Sequence, residues 1–289
     1  MNNGIIDWPG NESHDTEDIT PPEIKSQATP PSLNDEPRPH EGLPPASYQD
    51  DNGFSFNSLG VVLLVLLVVY SVLTPEHGIV IFCLAINVLL HELGHYAAGR
   101  TFKCVMCKVS IFLIPAISYK ANSCSSLDPK LNTWRDTEWT LGMLPLGGYT
   151  TFLESTMPPP AHSDHSGFIN HKPAWQRLII NAAGIVMNLL TFAVCYAIYN
   201  ILPSGTMMFI VGEIMYLALI LAVLNVLPFY PLDGSSICTA IYEVCSGRKP
   251  SNGFMKVFKV VGAALMVYLF FINPNVLNKL LHVLLPSLF

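Results

Sequence analysis

The stretch that decides the fold is Ile79–Ala98, which reads IVIFCLAINVLLHELGHYAA. Its length of about 20 mostly apolar residues is what an α-helix needs to cross the hydrocarbon core of a bilayer. Three ionisable side chains interrupt the run near its end, at His91, Glu92 and His95. Because ionisable groups inside a membrane are costly, such residues are functional candidates by default. The stretch therefore predicts a membrane helix with a functional site near one end.

Further apolar runs lie on both sides of this helix. They are Leu59–Leu73, Leu178–Leu202, Met207–Tyr230, the weaker Lys256–Ile272 and the short Val276–Phe289. The whole chain of 289 residues is 51% hydrophobic and 12% charged, whereas a soluble domain has about 25% charged residues. Its net charge of −6 excludes a nucleic-acid binder that depends on bulk positive charge. We predict an α-helical polytopic protein surrounded by membrane lipid, with about five to six spans.

Residues 1–56 differ in composition from the rest. They hold 11 acidic and 2 basic side chains, nine prolines and few hydrophobic residues. Such a segment buries too little apolar surface to offset its ordering entropy, so we predict a disordered, acidic, proline-rich tail. The remainder, 57–289, is predicted to be one membrane core. Its parts are a helical hairpin at 59–99, a strand-and-loop segment at 100–174, two spans within 175–236 and C-terminal helices at 237–289.

The segment between the second and third apolar runs has the character of strands. Val109–Tyr119 is rich in β-branched and aromatic residues, and Leu144–Phe152 reads LPLGGYTTF, with a Gly-Gly break. We expect a small group of short strands at the membrane face.

The positively charged residues indicate the orientation in the membrane. Eight of the fifteen Lys and Arg residues fall within 100–177 and four within 248–259, whereas the connections 74–78 and 203–206 have none. Cytoplasmic loops carry an excess of Lys and Arg. We therefore expect both basic regions, and the N-terminal tail, on the cytoplasmic side.

The helix at Ile79–Ala98 contains the pattern His-Glu-x-x-His. Residues i and i+4 lie on one face of a helix, so both imidazoles can reach one metal ion. Zinc lowers the pKa of a bound water molecule to about 7, and a neighbouring carboxylate can take its proton. The pattern therefore predicts Zn²⁺ bound by His91 and His95, with Glu92 as general base. Iron or cobalt suits similar ligands.

Catalytic zinc has three protein ligands and one open position, so a third ligand must come from elsewhere in the chain. Asp233 follows the fourth apolar run at its cytoplasmic end, at the depth where the two histidines lie in their own helix. Pro228 and Pro231 should end the helix there and turn Asp233 inward. The alternative, Glu213, comes earlier in the same run and nearer the opposite membrane face. We expect it to be a polar interfacial residue rather than a ligand.

These blocks make the chain similar to the site-2 protease family of intramembrane zinc metalloproteases. The first block is HELGH at 91–95. The second is Leu224–Gly234, which resembles the family's Asn-Pro-Leu-Asp-Gly signature. The third is Pro145–Tyr149, with Trp175–Arg177 and Ala183–Asn188, which resembles the bacterial branch. Residues 203–206 leave no room for the PDZ domain that many bacterial members carry between the third and fourth spans.

The resemblance implies a role for each matched residue. It assigns zinc binding to His91, His95 and Asp233, and water activation to Glu92. It assigns substrate binding to Asn225, which would hold the substrate or the developing oxyanion, and to Gly147, Gly148 and Tyr149. The last three belong to a segment that would offer an exposed strand edge to an unwound substrate.

The resemblance also implies a substrate class and a location. The substrate would be a single-span membrane protein, such as an anti-sigma factor or a remnant signal peptide, cleaved in regulated intramembrane proteolysis. The enzyme would lie in a bacterial inner membrane and open to the cytoplasm. The competing hypothesis is a non-enzymatic zinc-binding membrane protein or metal transporter, which would not need Glu92 and should show repeated polar spans. The natural substrate, the cleaved bond and the oligomeric state stay open.

A pair of cysteines, Cys104 and Cys107, with Cys124 nearby, also has the spacing of a zinc or redox site. The cytoplasmic side is reducing, and no fourth ligand is evident. We expect these residues to be structural thiols.

Overall fold

A computed structural model describes residues 53–121, 133–154 and 167–268. All of these residues belong to one compact unit, Pro45–Phe289. Residues 1–52 of the predicted tail and the apolar run Val276–Phe289 lie outside the described residues. So do the last residues of Lys256–Ile272.

The described part is built from helices and one small sheet. The helices are α1 (Ser58–Leu73), α2 (Pro75–Thr101), α3 (Ala174–Tyr199), α4 (Thr206–Val226), α5 (Asp233–Ser246) and α6 (Asn252–Val267). The strands are β1 (Gly53–Phe56), β2 (Met106–Ile111), β3 (Leu113–Lys120), β4 (Glu138–Leu144) and β5 (Tyr149–Phe152). A short 3₁₀ turn, Ile169–His171, precedes α3.

Within the described ranges, three helices are long and apolar enough to cross a membrane: α2 with 27 residues, α3 with 26 and α4 with 21. Helix α1 is apolar but has 16 residues, fewer than the ~20 that a span needs. Helix α6 also has 16 residues. The described part therefore supports three candidate spans, and the expected count of about five to six is not confirmed.

The helix ends follow from the residues that the sequence places there. The side chain of Asn57 caps α1 by accepting a hydrogen bond from the backbone N–H of Gly60. Pro75 begins α2, where it loses no helical hydrogen bond. A Cβ on Gly78 would come within 2.5 Å of the backbone oxygen of Ser71, so α1 and α2 form the close hairpin that the sequence predicts.

The helix break near Asp233 is also confirmed. Helix α4 ends at Val226 and α5 begins at Asp233, with Pro228 and Pro231 between them. The fourth apolar run thus stops being helical before Tyr230, and Asp233 takes the first position of a new helix. That helix, α5, is not an apolar run in the sequence.

The sheet has the strand order β1-β3-β4-β2-β5. The pairs β1–β3, β3–β4 and β2–β5 are antiparallel, and β2–β4 is parallel. The expected strands at 109–119 and 144–152 correspond to parts of β2, β3 and β5, and β4 is an addition. Residues Gly53–Phe56 correct the boundary of the predicted tail, because their backbone pairs with β3 and the last four residues of 1–56 form a strand.

A small apolar cluster holds the sheet against the C-terminal end of α2. Cys104, Met106 and Ile180 are fully buried in it, and the ring of Phe152 packs against them. A Cβ on Gly99 would come within 2.5 Å of that ring. Because Gly99 lies on α2 and Phe152 on β5, the missing side chain lets β5 approach the helix that carries the histidines.

Candidate active site

Helix α2 brings His91 and His95 to one face, and the first residue of α5 completes a group of three. The Nε2 atoms of His91 and His95 lie 3.0 and 3.1 Å from Oδ2 of Asp233. The two Nε2 atoms lie 3.2 Å apart. Both histidines are buried. The geometry thus joins the three residues that the sequence nominates as ligands into one group that could hold a metal ion.

The donor set and spacing of this group fit zinc. Tetrahedral zinc with bonds of about 2.0–2.2 Å to nitrogen and oxygen places neighbouring ligand atoms about 3.3–3.6 Å apart. The observed separations of 3.0–3.2 Å are only slightly shorter. Two imidazole nitrogens and one carboxylate oxygen are also a ligand set found in catalytic zinc sites, which keep one position open.

The far nitrogen of each imidazole contacts α3. Nδ1 of His95 lies 2.8 Å from the backbone oxygen of Ile180. A carbonyl oxygen only accepts hydrogen bonds, so Nδ1 must donate, and Nε2 of the neutral ring keeps its lone pair. Nδ1 of His91 lies 3.0 Å from the side-chain amide of Asn188. Helix α3 therefore orients both rings without supplying a ligand.

Gly184 lies between these two contacts on α3. A Cβ there would meet Nε2 of His95, and would come within 2.6 Å of Cε1 and 2.7 Å of Nε2 of His91. No ordinary van der Waals contact is that short. Only glycine therefore allows α3 to pass so close to the nitrogens that face Asp233.

Glu92 is buried, with 3% of its surface exposed. The hydroxyl of Thr150 on β5 donates a hydrogen bond to its Oε2 over 2.7 Å. Gly148 packs closely against the same side chain, since a Cβ on Gly148 would come within 3.0 Å of Cγ of Glu92. Helix α2 and the β5 edge of the sheet together fix the position of the carboxylate.

The proposed substrate-binding residues lie at two places in the fold. Tyr149 opens β5 and pairs with Ser110 of β2. On its other side β5 has no neighbouring strand in the sheet as described, so it is an edge strand. Gly147 precedes it with a φ of +138°, which favours glycine. Asn225 lies in the last turn of α4, and its amide donates to the backbone oxygen of Leu221 in the same helix.

The sequence predicts no contact with the metal-binding group or Glu92 for three residues that the structure brings there: Thr150, Gly184 and Asn188. Thr150 is only one member of the expected strand segment, and Asn188 reads as one polar residue in a span. Their contacts join elements far apart in the chain, with separations of 58 residues for Thr150–Glu92 and 97 for Asn188–His91. The small-residue pair Ala183-Gly184 in an apolar run is the one local signal for a close helix approach.

Two other candidate groups are separate from this site. Glu213 lies on α4 beside Tyr199, in a cavity of about 380 Å³, and is not a member of the His-His-Asp group. Cys104 and Cys107 are present as thiols. Burial raises the pKa of the Cys104 thiol to about 11, although Lys172 opposes the shift. Cys104 therefore stays protonated at neutral pH, as expected of a structural thiol; Cys124 lies outside the described residues.

The chain matches one protein family and several known proteins. Peptidase family M50 matches residues 79–208 and 200–269. "Putative zinc metalloprotease RSc1411" of Ralstonia nicotianae is 31% identical over 125 residues, which are 41% of this chain and 25% of that protein. "Metalloprotease MmpA" of Caulobacter vibrioides is 30% identical over 157 residues, 46% of this chain and 36% of that protein. The match thus spans about a quarter to a third of these relatives.

A solved structure, the site-2 protease from Methanocaldococcus jannaschii, aligns with a TM-score of 0.44 and 18% identity, covering 73% of this chain and 76% of that one. The family match covers well over half of the chain and includes His91, His95 and Asp233. The chain belongs to peptidase family M50, the site-2 protease family.

Proposed function

We propose that the protein is a zinc-dependent endopeptidase that hydrolyses a peptide bond within or next to the transmembrane segment of a membrane protein. The proposal rests on one observation. The ligand atoms of His91, His95 and Asp233 lie close together, and the buried carboxylate of Glu92 follows His91 in the chain. Family membership supports the same reaction type.

Each residue has a chemical task in this proposal. His91, His95 and Asp233 hold the metal, which when bound supplies Lewis-acid chemistry that acidifies water and polarises a carbonyl group. Glu92 takes the proton from the attacking water and returns it to the leaving amine. The hydroxyl of Thr150 holds the Glu92 carboxylate in position by donating a hydrogen bond to Oε2. Asn225 binds the substrate or the developing oxyanion with its amide.

The strand edge suggests how a substrate is held. A transmembrane helix hides its peptide bonds in its own hydrogen bonds, so it must unwind before attack. Strand β5 offers backbone groups on its open edge, and an extended segment can pair with them. Since Thr150 of β5 touches Glu92, a segment paired at Gly147, Gly148 and Tyr149 would lie beside the general base.

The proposed setting follows from the charge distribution and the apolar surface. Helices α3 and α4 expose large apolar side chains, among them Val186, Leu190 and Phe209, as lipid-facing helices do. The basic regions support an orientation with the N-terminus and the opening of the site on the cytoplasmic face, and the proposed setting is a bacterial inner membrane. The partner is a single-span membrane protein, such as an anti-sigma factor or a remnant signal peptide, in regulated intramembrane proteolysis.

The test is cleavage by purified protein in lipid vesicles with a panel of tagged single-span substrates. We expect at least one substrate to be cut inside or beside its span, the activity to vanish after brief chelation, and added zinc to restore it. The cleaved bond is read by mass spectrometry. Zinc bound by the protein with no cleavage across the panel, together with zinc uptake into the vesicles, would instead support the metal-transporter hypothesis.

Replacing Thr150 with valine should slow cleavage about tenfold. Valine has the same shape but cannot donate to Glu92, and a hydrogen bond to a charged group contributes about 1.5–3 kcal/mol, of which about 1.4 kcal/mol corresponds to tenfold in rate. The measurement is kcat on the best substrate of the panel. Thr150→Ser keeps the hydroxyl and should stay near wild type; equal rates for the valine and serine variants would contradict the role given to Thr150.

A further inference from the structure

The side-chain amide of Asn188 lies against His91 of the metal-binding group, and this is its one hydrogen-bond contact among the residues that the structure describes. Asn188 is fully buried on α3, and its Nδ2 atom faces Nδ1 of His91 over 3.0 Å. Within the described residues, its oxygen has no hydrogen-bond partner. No donor therefore holds the oxygen end in place, and half a turn about the terminal bond exchanges oxygen and nitrogen without moving any other group.

The two orientations have opposite consequences for His91. If the amide nitrogen donates to Nδ1, the neutral ring must carry its proton on Nε2, the atom that faces Asp233. That nitrogen would then have no lone pair for a metal. If the amide oxygen faces Nδ1, it accepts the Nδ1 proton, and Nε2 keeps its lone pair.

The neighbouring contact on α3 shows which orientation matches the site. The backbone oxygen of Ile180 accepts from Nδ1 of His95, which leaves Nε2 of that ring for a metal. Ile180, Gly184 and Asn188 follow one another at intervals of four residues on one face of α3. If the amide oxygen of Asn188 faces His91, the three positions form a regular pattern. Ile180 accepts from His95, Gly184 leaves space for the ligand nitrogens, and Asn188 accepts from His91.

We propose that Asn188 is the positioning residue for His91, with its amide oxygen accepting the Nδ1 proton so that Nε2 is presented to the metal. The inference rests on the proposed metal site. Partners of this kind fix the tautomer and ring orientation of a metal-bound histidine, and losing one weakens metal affinity about 10- to 100-fold.

A second buried asparagine, Asn87, provides a matched control. Its amide nitrogen donates to the backbone oxygens of Cys83 at 2.9 Å and Ile214 at 3.1 Å. Two acceptors fix its orientation, and its contacts are with helix backbone rather than with an imidazole. Asn87 is as buried as Asn188 and lies on the same helix as His91, so its substitution tests the effect of losing a buried amide alone.

The experiment measures zinc affinity of the full chain in detergent, by competition with a chromophoric chelator. Asn188→Leu and Asn188→Ala should bind zinc about 10- to 100-fold more weakly than wild type. Asn188→Asp can accept the Nδ1 proton, so it should stay within about threefold of wild type. Asn87→Leu should also keep wild-type affinity. Thermal melting of each variant checks that it is folded.

Two results would overturn the proposal. Asn188→Asp that binds as weakly as Asn188→Leu would show that the amide acts through its nitrogen, and wild-type affinity in both Asn188→Leu and Asn188→Ala would show that it has no positioning role. Failure of the proposed metal site has a different signature, because the wild-type protein itself would then bind no zinc. Failure of the proteolytic function alone would leave zinc binding intact and appear as absence of cleavage.

Discussion

Replacing Glu92 with glutamine is expected to abolish peptide-bond cleavage and to leave zinc binding intact. The carboxylate is buried beside the metal-binding group and is held by Thr150, but it is not among the atoms that converge there. Glutamine keeps the size and can still accept from Thr150, but it cannot take a proton from water. Removing a general base costs about 10²- to 10⁴-fold in rate.

The measurement for Glu92→Gln is cleavage in vesicles together with zinc content per chain. Glu213→Gln is the matched control, since it makes the same change in an apolar helix at a residue outside the metal-binding group. We expect that variant to cleave at close to the wild-type rate. Full activity in Glu92→Gln would rule out Glu92 as the base, and loss of zinc from it would mean that the carboxylate is itself a ligand.

Replacing Gly184 with alanine is expected to remove the metal while the fold survives. The added methyl group would overlap Nε2 of His95 and approach Nε2 of His91 to 2.7 Å. These atoms are the ends of side chains, so the rings can turn away and α3 can keep its place. Turned rings no longer meet Asp233, and zinc affinity should fall about 100-fold or more, at least as far as for a lost histidine partner.

The Gly184→Ala result is read as zinc affinity and as melting temperature. Gly212→Ala is a suitable control, because in the described part of the chain a Cβ on that helical glycine would meet just the ring of Tyr199, at 3.2 Å. It should leave zinc affinity unchanged. If Gly184→Ala bound zinc as tightly as wild type, the close approach of α3 to the histidines would not be required for the site.

Local sequence patterns predict those parts of the site that depend on one helix or one break. His91 and His95 fall on one face because four residues make about one helical turn. Asp233 could be found because Pro228 and Pro231 mark where an apolar helix must end. Both features are decided within a few residues, so no knowledge of the packing is needed.

The remaining features depend on contacts between distant elements. Helix α5 is not an apolar run, and the ion pair of Arg177 with Glu243 joins the first turn of α3 to it. Strand β4 begins with a charged residue and contains Gly142, yet it lies between β2 and β3. Helix α1 is the converse case. Its composition suits a span, but its length is limited by the cap at Asn57 and by Pro75, which begins α2.

A metal ion bound by this group would also join distant parts of the chain. His95 and Asp233 are separated by 138 positions, so an ion bound between them acts as a cross-link that closes a long loop. The free energy of metal binding then contributes to the free energy of folding. Prolonged chelation therefore removes the metal that activity needs and also removes this cross-link. If activity does not return when zinc is added, the protein has lost part of its fold as well as its metal.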